Sequence, residues 1–198
     1  MEITMERWET AQTEEFGHHQ DLRPEAYNVG STVIGKYLGI DYEKDFKDKI
    51  IVEVGGGPRG SIHMTKGNFK RGILIEPLID RWPPNIRKDY EDIGVEIIAA
   101  PYEHLEIDTE VDETWFFNVI QHVLDPKKQL ELAKKTSKVI RVFESIGSVT
   151  DIAHPHYITP ETFTEVLGDF GKIYKGGSEK GFHGADCYYG SWYESDNV

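Results

Sequence analysis

The sequence contains a single cysteine among its 198 residues, and this scarcity excludes several classes of protein. One thiol, Cys187, cannot form an intramolecular disulfide or a cysteine-based zinc cluster, so we expect it to be a packed strand residue. No run approaches the roughly 18 apolar residues of a membrane-spanning helix, and the first residues lack a basic segment followed by an apolar one. We therefore expect a cytoplasmic protein without a membrane partner.

Basic residues are also few. The chain has 22 Lys and Arg but 35 Asp and Glu, which gives a formal net charge of −13. A protein that binds nucleic acid by neutralising phosphates needs a basic surface, so we expect no nucleic-acid partner. The acidic excess is concentrated between Asp89 and Glu113, where ten acidic residues occur without a Lys or Arg. With 38% hydrophobic residues the chain can bury one core, and we predict a single domain over residues 1–198.

Helix-like and strand-like segments alternate along the chain, which is typical of an α/β fold. Amphipathic spacing predicts helices over residues 4–16 and 25–39, and a crossover helix over 125–135. A capped helix start is predicted at Thr159, because Pro160 suits the first helical position. Apolar, β-branched runs predict strands at 49–54, 72–76, 95–100, 114–119, 138–144, 172–175 and 185–193.

The first predicted strand stops at a glycine turn, residues 55–57, which Pro58 follows. Glycines there let a ligand approach the backbone where a Cβ would collide. Glu76, at the end of the next strand, lies 19 residues beyond Gly57, and a carboxylate at that place can accept both hydroxyls of a ribose. Glu53 enters the turn and suits a cationic amino-acid group better than a pyrophosphate. These features predict an adenosine ligand such as S-adenosylmethionine.

These two segments resemble the first and second motifs of class I S-adenosylmethionine-dependent methyltransferases of the small-molecule type, and two more follow in the family's order. Residues 99–105 resemble the third motif, a loop beside the adenine. Many members carry an acidic residue at the place of Ala100, where it contacts the adenine amine. In this chain, backbone groups around Pro101 and Tyr102 would have to contact the adenine instead. Residues 115–126 resemble the fourth motif, in which Asn118 would lie near the transferred methyl group.

The resemblance implies a set of residues that bind the methyl donor. They are Glu53, Gly55, Gly56, Gly57, Pro58, Glu76, Pro77, Pro101, Tyr102, Asn118 and Val119. It also implies a Rossmann-like, seven-stranded, mostly parallel sheet with helices on both faces, a C-terminal antiparallel hairpin around the glycine-rich stretch 176–184 and an N-terminal helical extension. Residues 1–45 would form a cap, 46–145 the cofactor-binding core and 146–198 the substrate loop, a helix and the hairpin.

Histidines supply the candidate catalytic groups. His122 belongs to the fourth motif, while His154 and His156 lie in the loop from which the family builds its acceptor pocket. Alternate positions of an extended loop face opposite sides, so at most one of that pair would face the donor. We expect no metal, because no cysteine or acidic cluster accompanies them. The candidates for acceptor binding are His18, His19, Tyr27 and Tyr157.

The predicted function is methyl transfer from S-adenosylmethionine to an O or N atom of a small-molecule acceptor, leaving S-adenosylhomocysteine. An in-line displacement mainly requires alignment of acceptor, methyl and sulfur. One alternative is a regulatory module that binds the cofactor without turnover. Another is a nicotinamide-dependent oxidoreductase, although the glycines fit its G-x-G-x-x-G pattern only partly. A third alternative is aminopropyl transfer from a decarboxylated donor. Glu53 disfavours this donor, because the residue is positioned for a complete amino-acid group.

Overall fold

The computed structural model describes residues 3–19, 24–105, 110–176 and 185–194. Within these ranges the α-helices are α1 (Met5–His19), α2 (Pro24–Leu38), α3 (Pro84–Asp92), α4 (Pro126–Thr136) and α5 (Pro160–Leu167). The strands in the same ranges are β1 (Ile50–Val54), β2 (Arg71–Ile75), β3 (Val95–Ile98), β4 (Val111–Phe117), β5 (Ser137–Ile146), β6 (Lys172–Tyr174) and β7 (Asp186–Tyr193). The predicted glycine-rich connection falls mostly on residues 177–184, outside the described residues.

The seven strands form one sheet in the order β3-β2-β1-β4-β5-β7-β6. The first five run parallel, and β7 pairs antiparallel with both β5 and β6. The predicted mostly parallel seven-stranded sheet and its C-terminal antiparallel pair are therefore confirmed. Strand order reverses between β1 and β4, and in open α/β sheets ligands bind outside the carboxyl ends of the strands at such a switch point.

Alternate side chains of each central strand enter two separate cores, which explains why the strands are apolar on both faces. Ile51 and Trp115 pack with α2 and α3, whereas their neighbours Val52 and Phe116 pack with α4 and α5. Helices on both faces of the sheet are thus confirmed. Cys187 is fully buried in β7, and burial raises the pKa of its thiol to about 12, as expected for a packed and unreactive residue.

Helix starts follow the sequence closely, with one exception. Asp125 caps α4 by accepting from the backbone N–H groups of the first turn, and Thr159 caps α5. The sequence analysis missed α3, although Pro84 stands at its first position and Gly94 follows its end. The segment is rich in acidic residues, so its apolar face was not recognised from the sequence. The buried side chain on that face is Tyr90.

Strand β4 begins at Val111, three residues before the predicted start, because a buried ionic cluster continues the strand. Glu113 is fully buried and accepts from Arg141 Nε at 2.5 Å, Lys49 Nζ at 2.5 Å and Trp115 Nε1 at 3.0 Å. Burial opposes its charge, but the hydrogen bonds and charge of Arg141 outweigh burial and lower the pKa of Glu113. The cluster links β4, β5 and the residue before β1.

Helix α1 lies across the carboxyl edge of the sheet. Trp8 Nε1 and Gln12 Nε2 donate to the carbonyl oxygen of His122, at 3.1 and 2.9 Å, and the Arg7 guanidinium donates to two carbonyls of the loop after β5. These bonds fix the helix to the loops that follow β4 and β5. None of the helices in the described ranges is both long and apolar enough to cross a membrane.

We predict that Glu113→Ala destabilises the fold by about 3–5 kcal/mol, because it leaves Arg141 buried without its anion. Urea unfolding followed by circular dichroism measures this change. The matched control is Glu110→Ala at the same end of β4. Glu110 is exposed and pairs with Lys138, so its loss should lower the free energy of unfolding by only about 0–1 kcal/mol. Equal losses in the two variants would contradict the structural role of the cluster.

Candidate active site

A cavity of about 540 Å³ lies at the switch point between β1 and β4, within the size range of small-ligand sites. The loops after β1, β2, β3 and β4 form one wall, and α1 and α2 form the other. Most of the predicted site residues lie on its surface. They are Glu53, Gly55, Gly56, Gly57, Glu76, Pro77, Pro101, Tyr102, Asn118, Val119, His122, His19 and Tyr27.

The glycine turn adopts a conformation that other residues rarely reach. Gly55 and Gly57 have φ angles of +67° and +60°, in the left-handed region. A Cβ on Gly55 would also collide with the side chain of Val119, which comes from the loop after β4. The turn therefore brings bare backbone to the cavity while it packs directly against the neighbouring loop.

Glu76 holds the turn from the next strand. Its carboxylate accepts from the backbone N–H of Gly57 at 2.8 Å and from that of Leu78 at 2.9 Å. Burial raises the pKa of Glu76, and the two N–H donors act in the opposite direction. The side chain is 4% exposed and lies on the cavity wall, where its remaining lone pairs can accept from a ligand.

Glu53 organises the other side of the turn. It accepts from the backbone N–H groups of Ser61 and Ile62, at 2.8 and 2.9 Å, and its oxygens fill the space that a Cβ on Gly60 would need. Burial raises the pKa of Glu53 to about 7, although the two backbone donors favour its charged form. The carboxyl group thus changes charge near neutral pH.

The sequence analysis missed Tyr90, which fastens the same turn from α3. Its hydroxyl accepts from the N–H of Gly60 at 2.6 Å and donates to the carbonyl of Gly57 at 2.9 Å. The side chain is fully buried, and burial raises its pKa well above the usual range, so the hydroxyl stays protonated and can donate. Recognising α3 from Pro84 and the spacing to Tyr90 would have revealed this residue.

The loop after β3 carries a carboxylate that the sequence analysis did not assign. Glu103 lines the cavity beside Pro101 and Tyr102. It accepts from the backbone N–H groups of Leu124 and Asp125, at 2.9 and 3.2 Å, and from Gln129 Nε2 at 2.6 Å. Its oxygens are therefore engaged in fixing the loop after β4.

Asn118 ends β4 in the left-handed region, with φ of +59°. Its side-chain oxygen accepts from Ser145 Oγ at 2.9 Å, which ties the ends of β4 and β5 together. The next backbone N–H, of Val119, donates to the fully buried Glu144. Burial raises the pKa of Glu144 to about 8, while its backbone donors favour the charged form. The non-glycine left-handed conformation marks this strand end as a strained position.

The wall formed by α1 and α2 is polar. His19 Nε2 lies 2.6 Å from Glu15 Oε1, and His19 Nδ1 lies 2.6 Å from the hydroxyl of Tyr27. Burial opposes the charge on Glu15, but the hydrogen bond of His19 and the nearby imidazoles of His122 and His154 outweigh it and lower its pKa to about 2. Glu15 was not predicted as a site residue, because its role depends on residues distant in sequence.

His122 and His154 lie side by side, with ring centroids 4.7 Å apart. His122 is buried on the cavity wall, with Nδ1 3.0 Å from the carbonyl of Ala153, and burial lowers its pKa. His154 does not line the cavity; it is partly exposed behind His122 and pairs through Nδ1 with Asp151. Both therefore remain candidates, His122 at the cavity and His154 adjacent to it.

Besides His154, four predicted residues lie off the cavity lining. His156 is buried and bonds through Nε2 to the carbonyl of Val123 at 2.8 Å, so this nitrogen is engaged in holding its loop. His18 is exposed beside Glu14, and Tyr157 is 59% exposed, so neither is placed to contact an acceptor in the cavity. Pro58 follows the turn without facing the cavity.

No protein-family model and no curated protein matches the sequence. Solved structures do match the fold. The 1,6-didemethyltoxoflavin-N1-methyltransferase of Burkholderia thailandensis, bound to S-adenosylhomocysteine, matches with a TM-score of 0.64 and 14% identity, covering 98% of this chain and 92% of that one. The N-methyltransferase NodS of Bradyrhizobium japonicum matches with a TM-score of 0.63 and 11% identity, covering 96% of this chain and 99% of that one.

Phosphoethanolamine N-methyltransferase 1 of Haemonchus contortus matches with a TM-score of 0.65 and 11% identity, and the match covers 99% of this chain. It covers 51% of that chain, so this chain spans about half of that protein's length. The chain therefore has the fold of class I S-adenosylmethionine-dependent methyltransferases.

Proposed function

We propose that this chain is an S-adenosylmethionine-dependent methyltransferase that methylates an O or N atom of a small-molecule acceptor. The observation that carries the proposal is the pairing of the glycine turn with Glu76 on one cavity wall, opposite the polar wall of α1 and α2. In this proposal residues 1–45 cap the acceptor, residues 46–145 hold the donor and residues 146–198 complete the acceptor side. The three structural neighbours, all N-methyltransferases by name, support a small acceptor.

The residues present fit S-adenosylmethionine. The backbone of the glycine turn is bare where a Cβ would collide, and Glu76 retains acceptor lone pairs for ribose hydroxyls. The indole N–H of Trp82 lies on the cavity wall, is buried, and has no hydrogen-bond partner among the described residues. Buried donors without partners are rare, so this N–H is available to a ligand. When bound, the cofactor supplies an electrophilic methyl group on a sulfonium.

The chain's own residues mainly orient the reactants. Asn118, held by Ser145, shapes the end of β4 beside the cavity, and Val119 packs on the turn. On the facing wall Glu15, His19 and Tyr27 form a fixed hydrogen-bonded chain that can position a polar acceptor. Alignment of this kind contributes a large share of the rate of a displacement. In this proposal His122, whose pKa burial lowers and which lines the cavity, receives a proton from an acceptor when no metal is bound.

Replacing Glu76 by Gln should weaken binding of S-adenosylhomocysteine about 10-fold to 100-fold, which corresponds to the loss of charge-assisted hydrogen bonds worth about 1.5–3 kcal/mol. Isothermal titration calorimetry measures the change. Glu91→Gln, an exposed acid on α3 outside the cavity, is the matched control and should bind normally. Unchanged affinity in Glu76→Gln would remove Glu76 from the donor site.

Turnover is tested by incubating the protein with S-adenosylmethionine and a panel of small amines and hydroxyl compounds. We expect release of S-adenosylhomocysteine together with a methylated product, both detected by mass spectrometry, for at least one acceptor class. The release should be lost in the Glu76→Gln variant at low donor concentration. Tight donor binding without release across the panel would instead favour the regulatory module that only binds the cofactor.

Glu53 makes donor binding dependent on pH. Because its pKa is raised to about 7, the carboxyl is neutral at lower pH and gains charge as the pH rises. A cationic amino group prefers the carboxylate, so affinity for S-adenosylmethionine should increase as the pH rises through about 7, with release of a proton on binding. Calorimetry in buffers of different ionisation enthalpy detects this proton. Glu53→Gln should bind without the proton release, and release that persists in the variant would refute the assignment.

A further inference from the structure

We propose that Glu15, His122 and His154 form a binding site for a divalent transition-metal ion at the acceptor end of the cavity. No metal was expected from the sequence, because no cysteine or acidic cluster accompanies the histidines there. The three residues come from distant segments. They lie on α1, in the loop after β4 and in the loop after β5. The site goes beyond the proposed methyl transfer, and metal binding can be measured without a methyl donor or an acceptor.

The fold brings one possible ligand atom from each of the three residues within 4.8 Å of the others. The ring centroids of His122 and His154 lie 4.7 Å apart, and the ring planes are tilted by 48° to each other. Ligands of a tetrahedral ion with bonds of about 2.0–2.1 Å lie roughly 3.3 Å apart. The side chain of His154 is 29% exposed and can therefore swing inward by the ångström or so that is needed.

The hydrogen bonds of both histidines leave a nitrogen available for a metal. His122 Nδ1 faces the carbonyl of Ala153 at 3.0 Å, and His154 Nδ1 faces the carboxylate of Asp151 at 2.9 Å. Nδ1 is then the protonated nitrogen in each ring, and Nε2 keeps its lone pair. This arrangement is the usual one for metal-binding histidines. Gln121 Nε2, 3.3 Å from His122 Nε2, is a weak partner that an ion would displace.

The third ligand is held in the same way. Glu15 uses one oxygen to bond His19, which Tyr27 fixes in turn, and its second oxygen, 3.6 Å from His122 Nδ1, keeps lone pairs for a metal. Metal binding requires an ionised carboxylate and neutral imidazoles. Each proposed ligand therefore has an orienting partner.

The donor set indicates the class of ion and the use of the site. Two imidazoles and one carboxylate suit Zn²⁺, Fe²⁺, Co²⁺ or Ni²⁺, and leave coordination positions open. Since Glu15 and His122 line the cavity, the open positions face the space assigned to the acceptor. A cation there would lower the pKa of a coordinated hydroxyl, so that the hydroxyl could release its proton to solvent water before it attacks the methyl group. With the metal bound, His122 would act as a ligand and not as the base.

The test uses the full chain without an affinity tag and measures binding of Zn²⁺ and Co²⁺ by calorimetry and visible absorption. We expect one equivalent of metal per chain and Co²⁺ absorption bands typical of mixed nitrogen and oxygen ligands. Glu15→Gln and His154→Asn should each weaken Zn²⁺ binding at least about 10-fold, and Asp151→Asn about 10-fold. Thermal melts without metal establish that each variant is folded.

The chain offers matched controls one residue away from Glu15 and His19. Glu14 and His18 are a carboxylate and an imidazole on the exposed side of α1, 3.7 Å apart. Glu14→Gln and His18→Asn should bind Zn²⁺ with the affinity of the original protein. The proposal is overturned if the original protein binds no stoichiometric metal, or if the controls lose as much affinity as Glu15→Gln and His154→Asn. Donor binding is measured separately. A lack of metal binding would therefore contradict the metal site without contradicting the methyltransferase proposal.

Discussion

Carboxylates that accept backbone N–H groups hold the carboxyl edge of this sheet together. Glu53, Glu76 and Glu144 are buried and Glu103 is half-buried. Each of the four accepts at least two backbone hydrogen bonds from the loops at this edge. Backbone N–H groups in tight loops have few partners, and an ionised acceptor bonds them about twice as strongly as a neutral one. The cost of burying the charge raises the pKa of three of these groups, Glu53, Glu76 and Glu144.

This constraint also aligns the two walls of the cavity. The loop after β4 is fixed from two sides, by Glu144 at its start and by Glu103 at its end. The same loop presents the carbonyl of His122 to Trp8 and Gln12, and so sets the position of α1. The polar groups of α1 are therefore placed relative to the glycine turn through a single loop. A displacement reaction needs such a fixed relation between the two reactants.

The cavity wall around the glycine turn could be predicted from the sequence because its signals are local. A strand, a glycine turn and an acid after the next strand occupy one continuous segment, and Glu76 lies beside the turn as the pattern predicts. The wall formed by α1 and α2 depends on contacts between residues that are distant in sequence, and residue spacing does not predict these. Glu15 meets His122 across 107 positions, and Tyr90 was hidden because its helix was missed. His154 and His156 share a pattern, yet only the structure separates the residue beside His122 from the one bonded to Val123.

The acidic excess of the chain is also found in the lining of the cavity. Four acidic residues line it, Glu15, Glu53, Glu76 and Glu103, and Arg59 is the one Lys or Arg among its described lining residues. Arg59 itself bonds Asn28 on α2 through Nε. A dinucleotide would bring its pyrophosphate near Glu53 at the turn, and the repulsion between like charges would oppose its binding. A sulfonium with a cationic amino group meets the opposite condition, which is why the acidic turn favours S-adenosylmethionine over a nicotinamide cofactor.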